Sequence, residues 1–236
     1  AASQKKMRDF AKENNIDFWE GKGVCHQIMM EHYVCPGELI FGADSHTCSY
    51  GALGAFGTGG GCTDLLYGMV TGKSWVLVPE TVKFNLVGKL PEGVYARDLI
   101  LTIIGTIGAN GCNYQVMEFT GEGAKTLSIS ERMVLCNMAV EAGAKTGIFE
   151  PDEKAIEYLE AHGRKPKALF TSDPDAVYAR EYTFDLSKIR PVVAKPDFVD
   201  NLVPAEEVRG VKIDEAFLGS CNNGRIEDLR VGASII

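Results

Sequence analysis

The sequence predicts an α/β protein, on three observations. A short apolar run, Leu39-Ile40-Phe41, has the form of a buried strand and breaks into Gly42-Ala43-Asp44-Ser45-His46-Thr47-Cys48 and a glycine-rich tail at 51–61. Residues 81–88 alternate apolar and polar side chains like a half-buried strand. Leu99, Ile100, Ile103, Ile104 and Ile107 then form the apolar stripe of a helix, so strand and helix patterns alternate along the chain.

In chain order, Met7, Phe10 and Ala11 sit at helical spacing among polar residues and give an amphipathic helix ending near Asn14. His26 lies within Gly23-Val24-Cys25-His26-Gln27-Ile28, which reads as a strand or strand edge; alone it is either a structural histidine or a catalyst. Asp44-Ser45-His46 falls at a strand end, the place where open α/β sheets bind ligands. The glycines after it suit either a site floor or a tight surface loop. Thr63-Asp64 can cap a helix bearing Leu65, Leu66, Met69 and Val70, with Gly72 as its stop. Residues 114–120 read as another strand. Ser128 and Glu131 have capping-box spacing and open a helix through Met133, Leu135, Met138 and Val140 to Gly143. On it Asn137 and Glu141 share a face. They are either a solvated stripe or, given apolar Cys136, Met138, Ala139 and Val140 beside them, groups in a buried helix that need partners. Residues 153–162 and 175–181 read as helices, 211–218 as a strand, 219–225 as a turn holding Cys221, and 226–236 as a helix start. Pro79 and Pro191 punctuate the chain into units 1–79, 80–190 and 191–236.

Composition narrows the function. With 45% hydrophobic and 24% charged residues the chain has globular character. Its net charge of -8, without clustered Lys or Arg, argues against a nucleic-acid surface and for a small-molecule partner. The longest uncharged apolar stretch, 99–109, is far short of the roughly 20 residues that cross a bilayer, and no signal peptide opens the chain, so a cytoplasmic location is expected. Seven cysteines at irregular spacing suit reduced thiols, with metal or cluster ligation for a minority. Two phosphate-binding leads fail. Gly68 to Ser74 is one residue short of the P-loop spacing and ends a helix, and Gly57-Thr58-Gly59 meets Cys62 where a dinucleotide fingerprint needs glycine.

Three separated signatures, Val24-Cys25-His26-Gln27-Ile28, Gly42-Ala43-Asp44-Ser45-His46-Thr47 and Leu218-Gly219-Ser220-Cys221-Asn222-Asn223-Gly224-Arg225, together resemble the aconitase superfamily, in its branch of 3-isopropylmalate dehydratase and homoaconitase large subunits. The resemblance extends over essentially the whole chain, including Thr71-Gly72-Lys73-Ser74-Trp75 and the segment from Cys136 to Ala144. It implies three-layer α/β/α domains with mixed or parallel sheets, and a hydro-lyase that moves a hydroxyl between neighbouring carbons of a small hydroxy di- or tricarboxylate. It also implies a 4Fe-4S cluster held by three cysteines with one iron open to substrate.

Cys221 matches the first cluster cysteine; the other two belong to a C-x-x-C motif that this sequence lacks. The chain therefore reads as an internal piece of a longer subunit, inactive by itself. The resemblance further implies that His26 pairs with Asp44 and His46 with Glu141 as catalytic groups, each carboxylate orienting its ring and supporting the protonated form that can serve a leaving hydroxyl. Ser45, Asn137, Asn223 and Arg225 are implied as substrate-binding residues. The catalytic serine is implied to reside on a separate small subunit. Asn222 stands where the family more often has Thr, a departure expected to matter little. Two other readings compete: a zinc hydrolase using His26, Asp44 and His46, and a non-catalytic binding module.

Overall fold

The computed structural model describes residues 2–236, and its main sheet is built from the patterned segments in the middle of the chain. β3 (Thr81–Val87), β4 (Val116–Thr120), β5 (Thr146–Phe149) and β6 (Arg180–Asp185) run parallel in the order β5-β4-β3-β6. Val82, Phe84 and Leu86 are buried while the residues between them are half-buried, as period-two alternation requires. Register places Phe84 opposite Phe119 and Tyr182, and Phe119 opposite Phe149. Their rings make a row across the sheet with centroids 5.1 to 5.6 Å apart, a spacing at which aromatic pairs attract.

Helices cover this sheet. α4 (Ala96–Ile107) buries Leu99, Ile100, Ile103 and Ile104. α6 (Ile129–Asn137) starts at a true capping box: Ser128 Oγ accepts from Glu131 N at 3.3 Å and Glu131 accepts from Ser128 N at 2.7 Å. The helix tightens to 3-10 geometry over Met138–Ala142 and stops at left-handed Gly143. Buried Arg132 on α6 donates to both carboxylate oxygens of Asp152 at 2.8 and 2.5 Å. Asp152 also caps α7 (Glu153–Ala161) by accepting from Ala155 N at 3.3 Å.

A second parallel pair, β1 (Leu39–Gly42) and β2 (Phe56–Gly59), flanks the 3-10 segment Ser45–Leu53. That segment packs on β5 and α6 so closely that a Cβ at Gly51 would meet the Gly147 carbonyl oxygen at 1.7 Å. Backbone faces backbone there, so no rotamer change relieves the contact. Gly51→Ala is therefore expected to cost at least the upper end of the ~1–3 kcal/mol typical of overpacking, read as a drop in denaturation midpoint at unchanged m-value. An unchanged midpoint would contradict this packing. The remaining elements are α1 (Ala2–Glu13), α2 (Cys25–His32), α3 (Cys62–Thr71), α5 (Glu122–Thr126), the antiparallel ribbon of β7 (Val192–Ala194) and β8 (Leu202–Pro204), and α8 (Ile226–Ile235). One core cluster runs from Met30 and Leu53 through Phe84, Ile103, Phe119 and Leu135. No helix among the described residues is long and apolar enough to cross a membrane.

Several segments differ from their sequence pattern. His26 lies in the first turn of α2 rather than on a strand: Gly21 and Gly23 take positive φ before it, and Gln, Met and Glu favour helix after it. The glycine tail is not a loop but the 3-10 segment and β2. Leu39 is exposed, so β1 is not fully buried. α3 is capped by Gly61, whose N–H donates to Asp64, and its apolar side chains Leu66, Met69 and Val70 stay exposed. Residues 175–181 form a turn leading into β6, because pairing of Arg180 with Val82 on β3 overrides local helix preference. Residues 211–218 pair with no strand among the described residues and expose Val211, Ile213 and Phe217.

Candidate active site

Asp44 follows β1 and caps the 3-10 segment. Its Oδ1 accepts from His46 N at 2.8 Å, a local bond that orients the carboxylate. The same oxygen lies 3.0 Å from His26 Nε2 on α2 and 3.7 Å from His46 Nδ1. On the other side of His46, Nε2 stands 3.8 Å from Glu141 Oε1, supplied by the 3-10 turn after α6. Asp44 and Glu141 thus face the two nitrogens of one ring.

The two histidines differ in setting. His26 is only 2% exposed and its Nδ1 is 3.3 Å from Tyr50 Oη, whereas His46 is 28% exposed and open to a ligand. Burial pushes the His26 pKa below its ordinary value and outweighs the charge and hydrogen bond of Asp44, while His46 adds to the lowering. Burial acts to raise the Asp44 carboxyl, but the His46 N–H and the charge of His26 overcome it and hold the pKa below the ordinary value. Burial thus works against the protonated ring that a neighbouring acid favours.

Asn137 ends α6, is buried, and acts as a junction. Its Nδ2 donates to Ser49 Oγ at 3.0 Å and lies 3.6 Å from Cys221 Sγ, while its Oδ1 accepts from Asn222 Nδ2 at 3.0 Å. Asn222, also buried, donates further to Val134 O at 3.3 Å and accepts from Arg97 Nη1 at 2.5 Å. Contrary to the small consequence expected of it, this side chain pins the Cys221 turn to α6 and α4; a hydroxyl in its place has one proton to donate, not two.

One ligand atom each from His26, His46 and Cys221 lies within 4.8 Å of the others. The other cysteines differ in character. Cys25 and Cys62 are exposed; burial pushes Cys48 up to about 12, Cys112 up to about 11, and Cys136 well above its ordinary value. Three further residues have other surroundings. Ser45 is exposed and lines a separate cleft with Thr58 and Lys145. Asn223 donates to Asp228 at 2.9 Å in its own helix start. The Arg225 guanidinium is engaged by the carbonyls of Cys221, Asn222 and Ser130, and lines with Cys221, Gln27 and Tyr158 a cleft of about 620 Å³. Ser49, Tyr50 and Arg97 were not marked by the sequence as parts of this network, and no local pattern distinguishes them; Asn222 lies in the third signature, which gives no sign of its contacts with Asn137 and Arg97.

A family model described as the aconitase family (aconitate hydratase) matches residues 2–209. The 3-isopropylmalate dehydratase large subunits of Hydrogenobaculum sp. (strain Y04AAS1) and Aquifex aeolicus (strain VF5) are 51% and 50% identical to the chain over its full length, which covers 56% and 55% of those proteins. A probable methanogen homoaconitase large subunit of Methanothermobacter thermautotrophicus is 48% identical over the full chain and 56% of its own length. The chain thus spans just over half the length of these curated relatives. Motifs, parallel sheet and a match over most of the residues converge, and the chain belongs to the aconitase family.

Proposed function

We propose that the chain is the large-subunit portion of an iron-sulfur hydro-lyase that interconverts 2-isopropylmalate and 3-isopropylmalate by dehydration and rehydration. The observation that carries this reading is the roughly 50% identity to large subunits of that name, over the whole chain. Dehydration breaks a C–OH bond and removes a proton from the neighbouring carbon; rehydration returns both in the opposite positions.

The residues of this chain divide that work. His46 is the half-exposed ring between Asp44 and Glu141, and in this reading it carries the proton that meets the leaving hydroxyl. Asp44 orients both histidines through a carboxylate fixed by the backbone N–H of His46. Buried His26 is a positioning residue that holds Asp44 in place. Cys221 fits a cluster as a single ligand: its sulfur is half-buried, beside both rings, with the Asn137 amide aimed at it. When bound, the 4Fe-4S cluster supplies Lewis-acid chemistry at the hydroxyl. The base for the carbon-bound proton is assigned to a small subunit, in keeping with relatives named as large subunits.

Homoaconitase activity is the second reading, favoured by the 48% identical relative of that name. The complete large subunit, assembled anaerobically with its small subunit and reconstituted with iron and sulfide, is to be assayed with 2-isopropylmalate, homoaconitate, 2,3-dimethylmalate and aconitate. Turnover highest on 2-isopropylmalate is expected. Turnover highest on homoaconitate would transfer the assignment, and none on any of the four acids would overturn the hydro-lyase reading.

A further inference from the structure

His26, His46 and Cys221 come from three separate elements, yet one nitrogen or sulfur atom of each falls within 4.8 Å of the other two. Two imidazoles and a thiolate are a donor set for a tetrahedral divalent transition ion. Bonds of about 2.0–2.1 Å to nitrogen and about 2.3 Å to sulfur imply ligand-to-ligand edges of roughly 3.3–3.6 Å, so the three side chains need to close by about an ångström. His46 and Cys221 are only partly buried and have room to do so.

Two features of the surroundings favour a cation at that point. Asp44 Oδ1 stands 3.0 Å from His26 Nε2 and 3.7 Å from His46 Nδ1, so a carboxylate and two ring nitrogens already converge. A divalent ion there would be neutralised by this carboxylate together with the Cys221 thiolate. At 3.3 Å from His26 Nδ1, the Tyr50 hydroxyl can accept a hydrogen bond as readily as donate one. The ring can therefore move its proton to Nδ1 and present Nε2 to a metal while keeping a partner, the arrangement by which metal-bound histidines are oriented. The Asn137 amide 3.6 Å from Cys221 Sγ directs the sulfur in the same way.

We propose that His26, His46 and Cys221, with Asp44 as the neighbouring carboxylate, bind a single zinc-type divalent ion in the chain that holds no cluster. On binding, the Cys221 S–H bond breaks, a sulfur-metal bond forms and the proton leaves to solvent; no redox change occurs. Because an iron-sulfur cluster on Cys221 would use the same sulfur, ion and cluster exclude one another. The inference stands on the geometry of this chain and not on the hydro-lyase reading, so its failure leaves that reading untouched.

The test is a cobalt titration of the 236-residue chain, stripped of metal by a chelator and kept reduced. Saturation at a single ion per chain is expected, with the intense visible bands of a tetrahedral ion and a thiolate-to-cobalt charge-transfer band, all bleached by zinc. Cys221→Ser should remove the charge-transfer band and His46→Ala should weaken binding by more than about tenfold. Cys62→Ser, at an exposed cysteine outside the cluster, should change neither. Circular dichroism separates loss of the site from loss of the fold. If Cys221→Ser does not fold, His46→Ala, at a partly exposed position, carries the test. Only weak octahedral-type spectra, or a charge-transfer band that survives Cys221→Ser or binding that survives His46→Ala, would overturn the proposal.

Discussion

Asp152→Asn is expected to destabilise the chain by about 3–5 kcal/mol, the cost of leaving a buried charge without its partner. The guanidinium of Arg132 is 1% exposed and spends two N–H donors on that carboxylate, so removing the charge strands it between α6 and the row of aromatic rings. Against a typical stability of ~5–15 kcal/mol this is a large fraction of the total. A pH dependence follows. Burial acts to raise the Asp152 carboxyl, but the hydrogen bonds and charge of Arg132 win and its pKa lies below the ordinary 3.8. A depressed folded-state value means the contribution is fully present above the ordinary value and is lost as pH falls through the lower one. Denaturant melts from neutral to acid pH should show the wild type losing stability in that acid window and Asp152→Asn losing less of it. Equal acid slopes would show that the pair does not titrate as described.

His46→Ala, made in the complete large subunit assembled with its small subunit, is expected to lower kcat by about 10²–10⁴, the usual contribution of a positioned proton donor. Asp44→Asn, which acts through the two histidines, should cost less, about 10–100-fold. In both, iron and sulfide content should stay at the wild-type level. If kcat were unchanged in His46→Ala, the proton role would pass to another group. If activity fell only in step with lost iron, His46 would be structural.

The strongly periodic segments were legible in the sequence because pattern and packing agree there. β3, α4 and the capped α6 fall where alternation, stripe and Ser128-Glu131 spacing put them. Residues 175–181 were not, since the pairing of Arg180 with Val82 is made across the sheet, and the α2 setting of His26 depends on the glycines before it. In the site, Asp44, His46 and Cys221 lie in motifs with recognisable chemistry. The contacts of Asn222 and Arg97 are not visible in that way: they join residues 85 and 125 positions apart, so only the packing of α4 and α6 against the turn reveals them. The lowered pKa of His26 was hidden for a related reason, because a neighbouring acid is visible in sequence and a 2% exposure is not.

In the proposed function Cys221, beside His26 and His46, is a ligand of the iron-sulfur cluster. Mössbauer spectroscopy of the complete, iron-57-reconstituted large subunit with Cys221→Ser, read beside hydratase activity, tests it most directly. Loss of the 4Fe-4S signal together with activity, in a variant whose circular dichroism is unchanged, is the predicted result. An intact cluster signal with activity retained would remove Cys221 from that role.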